Sequence, residues 1–103
     1  MKMKTKEQLV SLGLTEMKAD EVMLLESKML ETAVKFQFKK KDGSVRDAIG
    51  TLCRDRMIEE DGSVWQPKGE MKPDVPVLMK YWDLGQGGWR CFNVLNFIAM
   101  DGA

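Results

Sequence analysis

Basic side chains are concentrated in one short stretch of this 103-residue chain. Lys39, Lys40 and Lys41 are consecutive, and Lys35 and Arg46 flank them. Cations at this density could contact the phosphates of a nucleotide or a nucleic acid. The alternative is a solvated hairpin whose lysines protect a strand edge from pairing with other chains.

Aromatic side chains are concentrated in a second stretch, which holds Tyr81, Trp82, Trp89 and Phe92. Most of them should be core residues, because aromatic rings dominate the buried surface of a small domain. One or two on an outer surface, close to the lysines, could stack on bases.

The same stretch contains one acidic and one basic residue on either side of a glycine-rich turn at residues 85–88. Asp83 lies in an otherwise apolar strand, and a buried carboxylate needs a partner. The spacing predicts a cross-strand ion pair between Asp83 and Arg90.

Residues suited to catalysis or metal binding are scarce. The chain has no histidine, which removes the usual general base and the usual zinc ligand. Cys53 and Cys91 are far apart, and we expect free thiols packed as small hydrophobes, with a disulfide or a redox role as the alternative. Glu59, Glu60 and Asp61 are adjacent and are expected in a solvated loop. We therefore expect a protein that is not an enzyme and holds no metal or cofactor.

The overall charge is balanced, with 16 basic and 16 acidic side chains. A net charge of zero argues against a strongly electrostatic nucleic-acid binder but leaves room for a local basic face. The uncharged stretches are shorter than the roughly 20 residues that cross a bilayer, and no secretory pattern follows the basic start. We expect a cytoplasmic protein with no membrane partner.

The first third of the chain reads as helical. Thr5 and Gln8 have the spacing of a capping box, and Gly13 suits the end of a short helix. Thr15 can cap a second helix over residues 16–31, which carries an amphipathic pattern. Residues 1–32 are thus predicted to form a helical cap.

Strand patterns begin after residue 32. Val34, Phe36 and Phe38 alternate with polar residues, and Asp42-Gly43 suits a hairpin turn to a return strand over residues 44–52. Further strands are predicted over residues 77–84, 89–94 and 97–100. Residues 53–76 should contain either a small hairpin about Asp61-Gly62 or a long functional loop.

Five strands with no helix between them predict an antiparallel sheet. The expected fold is mostly β with N-terminal α: a five-stranded antiparallel SH3/Sm-like small barrel over residues 33–103, capped by one or two helices in a single compact unit. Closure of the barrel would remove the edges that an open sheet exposes.

The order of these motifs resembles the WYL-type small barrels, in particular the short stand-alone WYL-like proteins of Bacteroides-type bacteria and their mobile elements. The similarity covers about residues 33–100 and leaves the helices outside. The segments that carry it are Val34-Lys35-Phe36, Lys41-Asp42-Gly43, Gly50-Thr51-Leu52, Tyr81-Trp82-Asp83-Leu84 and Trp89-Arg90-Cys91-Phe92.

The resemblance implies that the barrel senses ligands, including nucleotides or nucleic acid, as in the larger WYL family. Its last long strand carries an Arg-x-Phe-Arg run followed by a further arginine. Arg90 and Phe92 match the first part, whereas Asn93 and Asn96 stand where further arginines would be expected.

Two functions follow as expectations. The first is a non-enzymatic domain that binds nucleic acid or a nucleotide-like anion; the residues expected to bind it are Arg90, Lys39, Lys40, Lys41, Arg46, Trp82 and Trp89. The alternative is a protein–protein adaptor or inhibitor of mobile-element or phage origin with no small ligand. A homo-oligomer with contacts through Trp- and Met-rich faces is a variant of that alternative.

Overall fold

The computed structural model describes residues 3–67, 69 and 74–101. Two helices precede five strands, and two 3-10 turns lie between strands. The elements are α1 (Lys6–Ser11), α2 (Glu16–Glu31), β1 (Val34–Lys39), β2 (Val45–Thr51), a 3-10 turn (Arg54–Arg56), β3 (Leu78–Asp83), β4 (Gly88–Asn93), a second 3-10 turn (Val94–Asn96) and β5 (Phe97–Met100).

The predicted helix ends are confirmed. The Thr5 hydroxyl accepts from the Gln8 main-chain N–H while the Gln8 side chain accepts from the Thr5 N–H, which completes the capping box. Gly13 has φ +117°, a conformation that a residue with a side chain rarely adopts. Thr15 accepts from the Lys18 N–H at 3.2 Å and begins α2. None of the helices in the described part is long and apolar enough to cross a membrane.

All five strands pair antiparallel, as predicted, and their order in the sheet is β4-β3-β2-β1-β5. The core lies between the concave face of this sheet and α2, whose Val22, Leu25 and Met29 are buried. Phe36 and Phe38 supply aromatic rings to the core from β1. The predicted mostly-β fold with an N-terminal helical cap is therefore confirmed.

The inner face of β2 carries small residues, and two of its larger apolar residues face outward. Val45 and Ile49 are exposed, and Ala48 and Gly50 point inward instead. A Cβ atom on Gly50 would lie 2.6 Å from Cδ2 of Tyr81, so only glycine leaves room for that ring. The large rings of neighbouring strands thus decide which face of β2 is buried.

The barrel is not closed by strand pairing. Within the described residues no ladder joins β4 to β5, and ring contacts bridge them instead. The Phe92 ring centroid lies 4.9 Å from that of Phe38 and 6.3 Å from that of Phe97. Closure was expected to remove both edges of the sheet, but β4 keeps a free one.

The middle segment contains the small hairpin that was one of the two predicted alternatives. Ile58 bridges Val64 across a turn in which Gly62 has φ +86°. Met57 is buried, and Trp65 packs on the outer face of β3 and β4. The rest of the predicted irregular stretch, residues 68 and 70–73, lies outside the described residues.

Hydrogen bonds of two residues, Lys4 and Thr51, connect the helical part of the chain to the sheet. The Lys4 N–H donates to Oε1 of Glu26 at 2.8 Å, and the Lys4 ammonium donates to the Pro76 carbonyl at 2.8 Å. At the C-terminal end of α2, the Thr51 hydroxyl lies 3.0 Å from the carbonyl oxygens of both Met29 and Thr32.

Candidate anion-binding groove

A groove of about 400 Å³ lies between the β1–β2 turn and the free side of β4. Lys39, Lys40 and Lys41 line one wall. The turn that presents them is built by Asp42, whose Oδ1 accepts from the N–H and hydroxyl of Ser44 at 2.9 and 2.6 Å. These hydrogen bonds, led by the hydroxyl, lower the pKa of the Asp42 carboxyl. We call this feature the basic groove.

The remaining lining of the basic groove is apolar or neutral. Phe38 and Phe92 are buried beneath it, and Cys91, Asn93 and Asn96 stand along the opposite wall. No carboxylate lines the groove within the described part of the chain. An anion placed there would contact ammonium and amide groups and would meet no carboxylate that repels it.

Arg46 lies on the inner face of the sheet, where it pairs with Asp83. Arg46 Nη2 lies 2.6 Å from Asp83 Oδ2, and the Asp83 side chain is buried. The other carboxylate oxygen accepts from the N–H groups of Gly85 and Gln86 at 2.8 and 3.0 Å. This carboxylate therefore holds both the β3–β4 turn and the Arg46 guanidinium.

The predicted ion pair between Asp83 and Arg90 is wrong. The β3–β4 register places Gly88 opposite Asp83 and Arg90 opposite Tyr81. The β2–β3 register places Gly50 opposite Asp83, and the long side chain of Arg46, on the same face of β2, reaches the carboxylate instead. Arg90 is exposed and forms no ion pair with any described residue.

Tyr81 shows that the two arginines act on one region of the inner face. Burial raises the pKa of its hydroxyl above 10.0, and Asp83 raises it further, whereas Arg46 and Arg90 oppose the shift. Arg90 lies opposite Tyr81 in the β3–β4 register and so shares the inner face with it. Arg46 Nε is buried without a hydrogen-bond partner in the described part.

Trp82 and Trp89 are not brought together with these cations. They face each other across β3 and β4 on the outer side of the sheet, because residues alternate faces along a strand. Trp65 packs on both, with ring centroids 6.1 Å from Trp82 and 5.3 Å from Trp89. Trp82 is buried and offers no free ring face to a base.

Trp65 was missed in the sequence because it lies in the segment with the weakest pattern. Its position beyond the Asp61-Gly62 turn is the one available signal, since a hairpin there returns the chain towards the strands. Asp61 itself builds that turn by accepting from the Ser63 hydroxyl and N–H, bonds that lower the pKa of its carboxyl.

Both cysteines are free, as predicted. Cys53 is half-buried, but Cys91 is exposed in the basic groove instead of being packed in the core. The described residues contain no group of three or more side chains suited to hold a metal ion.

A five-stranded antiparallel sheet in the order β4-β3-β2-β1-β5, with a 3-10 turn before the last strand and one aromatic core, is consistent with the class of small SH3/Sm-like barrels. These are small binding domains. A family model, WYL_2, described as an Sm-like SH3 beta-barrel fold, matches residues 22–98. The chain belongs to this WYL-like family, which confirms the resemblance and extends it into α2. Comparison with curated proteins and with solved structures gave no match.

Proposed function

We propose that this protein is a non-enzymatic domain that binds a phosphate-bearing ligand, a nucleic acid or a nucleotide, in the basic groove. The observation that carries the proposal is the lining of the groove, which includes Lys39, Lys40 and Lys41 and no carboxylate. Three adjacent lysines supply the positive charge that contacts to phosphates require. A cytoplasmic location and a homo-oligomeric state stay predictions from the sequence.

Arg90 adds positive charge on the inner face of the sheet, whereas the charge of Arg46 is balanced by Asp83. Arg46 is held by Asp83 at 2.6 Å, so its guanidinium is fixed before a ligand arrives. Arg90 forms no ion pair with any residue that the structure describes, which leaves its donors available to a phosphate. The ligand is recognised by charge and hydrogen bonds, with Trp82 contributing to stability and not to stacking.

The test is binding of a fluorescein-labelled single-stranded oligonucleotide, followed by anisotropy at several salt concentrations. For the triple variant Lys39→Ala/Lys40→Ala/Lys41→Ala we expect weaker binding. The slope of log affinity against log salt should fall by about 2, since each contact to a single strand contributes about 0.7.

Lys35→Ala is the matched control, because Lys35 is an exposed lysine on the outer face of the same strand. Equal loss of affinity in the control and the triple variant would refute the groove as the site. The same measurement with labelled ATP distinguishes a nucleotide from a longer nucleic acid.

A second function, protein binding, is favoured by a separate observation, the free edge of β4. It is developed below.

A further inference from the structure

The main chain of β4 presents unpaired polar groups along the basic groove. The Val94 N–H donates to the Val77 carbonyl at 2.9 Å and so continues the ladder of β3 and β4. Hydrogen-bonded and non-hydrogen-bonded pairs alternate along an antiparallel ladder. The register therefore turns the N–H and C=O groups of Trp89 and Cys91, and the N–H of Asn93, away from β3, whereas the Asn93 carbonyl begins the 3-10 turn Val94–Asn96.

A contact on the other side of β3 supports this assignment. The Leu84 N–H donates to the Ile49 carbonyl of β2 at 2.9 Å, so even-numbered residues of this strand face β2 and odd-numbered residues face β4. In the described part of the chain no strand lies beyond β4. Its outward groups are therefore open to a new strand.

The opposite edge of the sheet is contacted by α2. Lys18 on α2 donates to the Ile98 carbonyl of β5 at 2.6 Å, and its ammonium stands 5.5 Å from the Phe97 ring centroid. Lys18 of α2 thus occupies an acceptor of the β5 edge, whereas no described residue donates to or accepts from the outward groups of β4.

We propose that β4 binds an extended acidic segment of a partner protein, which pairs with it as an added strand. Such a strand would lie in the basic groove, next to β4. Leu78 of β3 and Phe92 of β4 line one side of this groove, and Lys39–Lys41 line the other. Because side chains alternate along a strand, a segment of alternating acidic and apolar residues would place carboxylates at the lysines and apolar groups over the floor.

Two considerations favour this occupant over others. Free β4 offers N–H donors and C=O acceptors in alternation, which a peptide main chain complements and a phosphate backbone, with acceptors only, does not. A second copy pairing through its own β4 would bring Arg90 and no carboxylate to the lysines, because Gly88–Asn93 contains no acidic residue. Like charges at that distance oppose pairing.

The test separates main-chain pairing from simple charge attraction. The probe is a fluorescent, end-blocked peptide of about six residues in which glutamate and valine alternate. Cys91→Pro removes an N–H that faces the free side, at an edge position where proline is tolerated. Cys91→Ala is the matched control, since it removes the thiol but keeps the N–H. Both variants retain all groove lysines.

We expect peptide affinity near wild type in Cys91→Ala and about tenfold weaker in Cys91→Pro, since one hydrogen bond is lost and the ring obstructs pairing. Equal affinity in the two variants, or no binding to wild type, would overturn the proposal. Preference of the wild-type protein for a lysine–valine peptide of the same length would overturn it as well.

Hydrogen exchange on the wild-type protein provides a measurement that does not depend on the proline variant folding. Bound peptide should slow exchange at the amides of Trp89, Cys91 and Asn93; unchanged exchange there refutes strand addition. The labelled oligonucleotide is titrated in parallel. If it, and not the peptide, loses affinity in Cys91→Pro, the edge serves nucleic acid and the peptide proposal fails. Failure of oligonucleotide binding alone refutes only the proposed function above.

Discussion

The Arg46–Asp83 pair gives a prediction that distinguishes the observed ion pair from the one expected in the sequence. Replacing Arg46 with alanine leaves the buried Asp83 carboxylate with the N–H groups of Gly85 and Gln86 as its remaining partners. Replacing Arg90 with alanine removes an exposed side chain that forms no ion pair with described residues. The two substitutions should therefore differ strongly in their effect on folding stability.

The expected magnitude follows from burial. Breaking a fully buried pair costs about 3–5 kcal/mol. Because the Arg46 side chain is 30% exposed, solvent screens the pair, and the two amide donors still stabilise Asp83. We expect a loss of about 2 kcal/mol for Arg46→Ala, or roughly 10 °C in Tm for a domain of this size. Arg90→Ala should change stability by less than about 0.5 kcal/mol.

Urea unfolding followed by tryptophan fluorescence measures both values, because Trp82 is buried against Trp65. The double variant Arg46→Ala/Asp83→Ala completes a mutant cycle, with an expected coupling of about 1–2 kcal/mol. Coupling near zero, or a larger loss for Arg90→Ala than for Arg46→Ala, would refute the assignment of Asp83 to Arg46.

Two further predictions concern the core and the helical cap. Gly50→Ala should destabilise the protein by about 1–3 kcal/mol in the same assay, because the new Cβ meets the Tyr81 ring at 2.6 Å. The control Gly88→Ala should not destabilise it, since a Cβ on Gly88 would lie in open space. Burial raises the pKa of Glu26 above 4.5, so the native state holds more protons than the unfolded state just above that pH, and stability falls as pH rises through this window. The free energy of unfolding of Glu26→Gln, measured by urea titration, should therefore rise relative to that of the wild type as the pH is raised from 4 to 7. A difference between the two proteins that does not vary with pH would contradict this.

The fold was predictable wherever one face of an element is dry and the other wet. Alternation at Val34, Phe36 and Phe38 and the caps at Thr5 and Thr15 are local signals, and local interactions largely decide those elements. The inward face of β2 was not predictable in this way. It depends on Tyr81, which is far along the chain and fills the space that a side chain at Gly50 would need.

The candidate site was predictable in composition but not in arrangement. The lysines of the β1–β2 turn are adjacent in sequence and so stay together in the structure. Arg90 and Trp89 are also adjacent, yet the pleat of β4 sends them to opposite faces of the sheet. Partners of Asp83 depend on strand register and on the reach of side chains from β2, which no short motif encodes.

The two interpretations of Lys39–Lys41, as ligand contacts and as protection of an edge, describe one electrostatic property of the basic groove. Three ammonium groups facing a free strand oppose the approach of neutral or basic strands, including β4 of another copy with its Arg90. The same positive potential attracts anions, because a groove without carboxylates does not repel them. A strand edge flanked by positive charge is therefore selective, since it opposes pairing with most strands and admits acidic ones. Because both the repulsion and the attraction are electrostatic, salt should weaken them together.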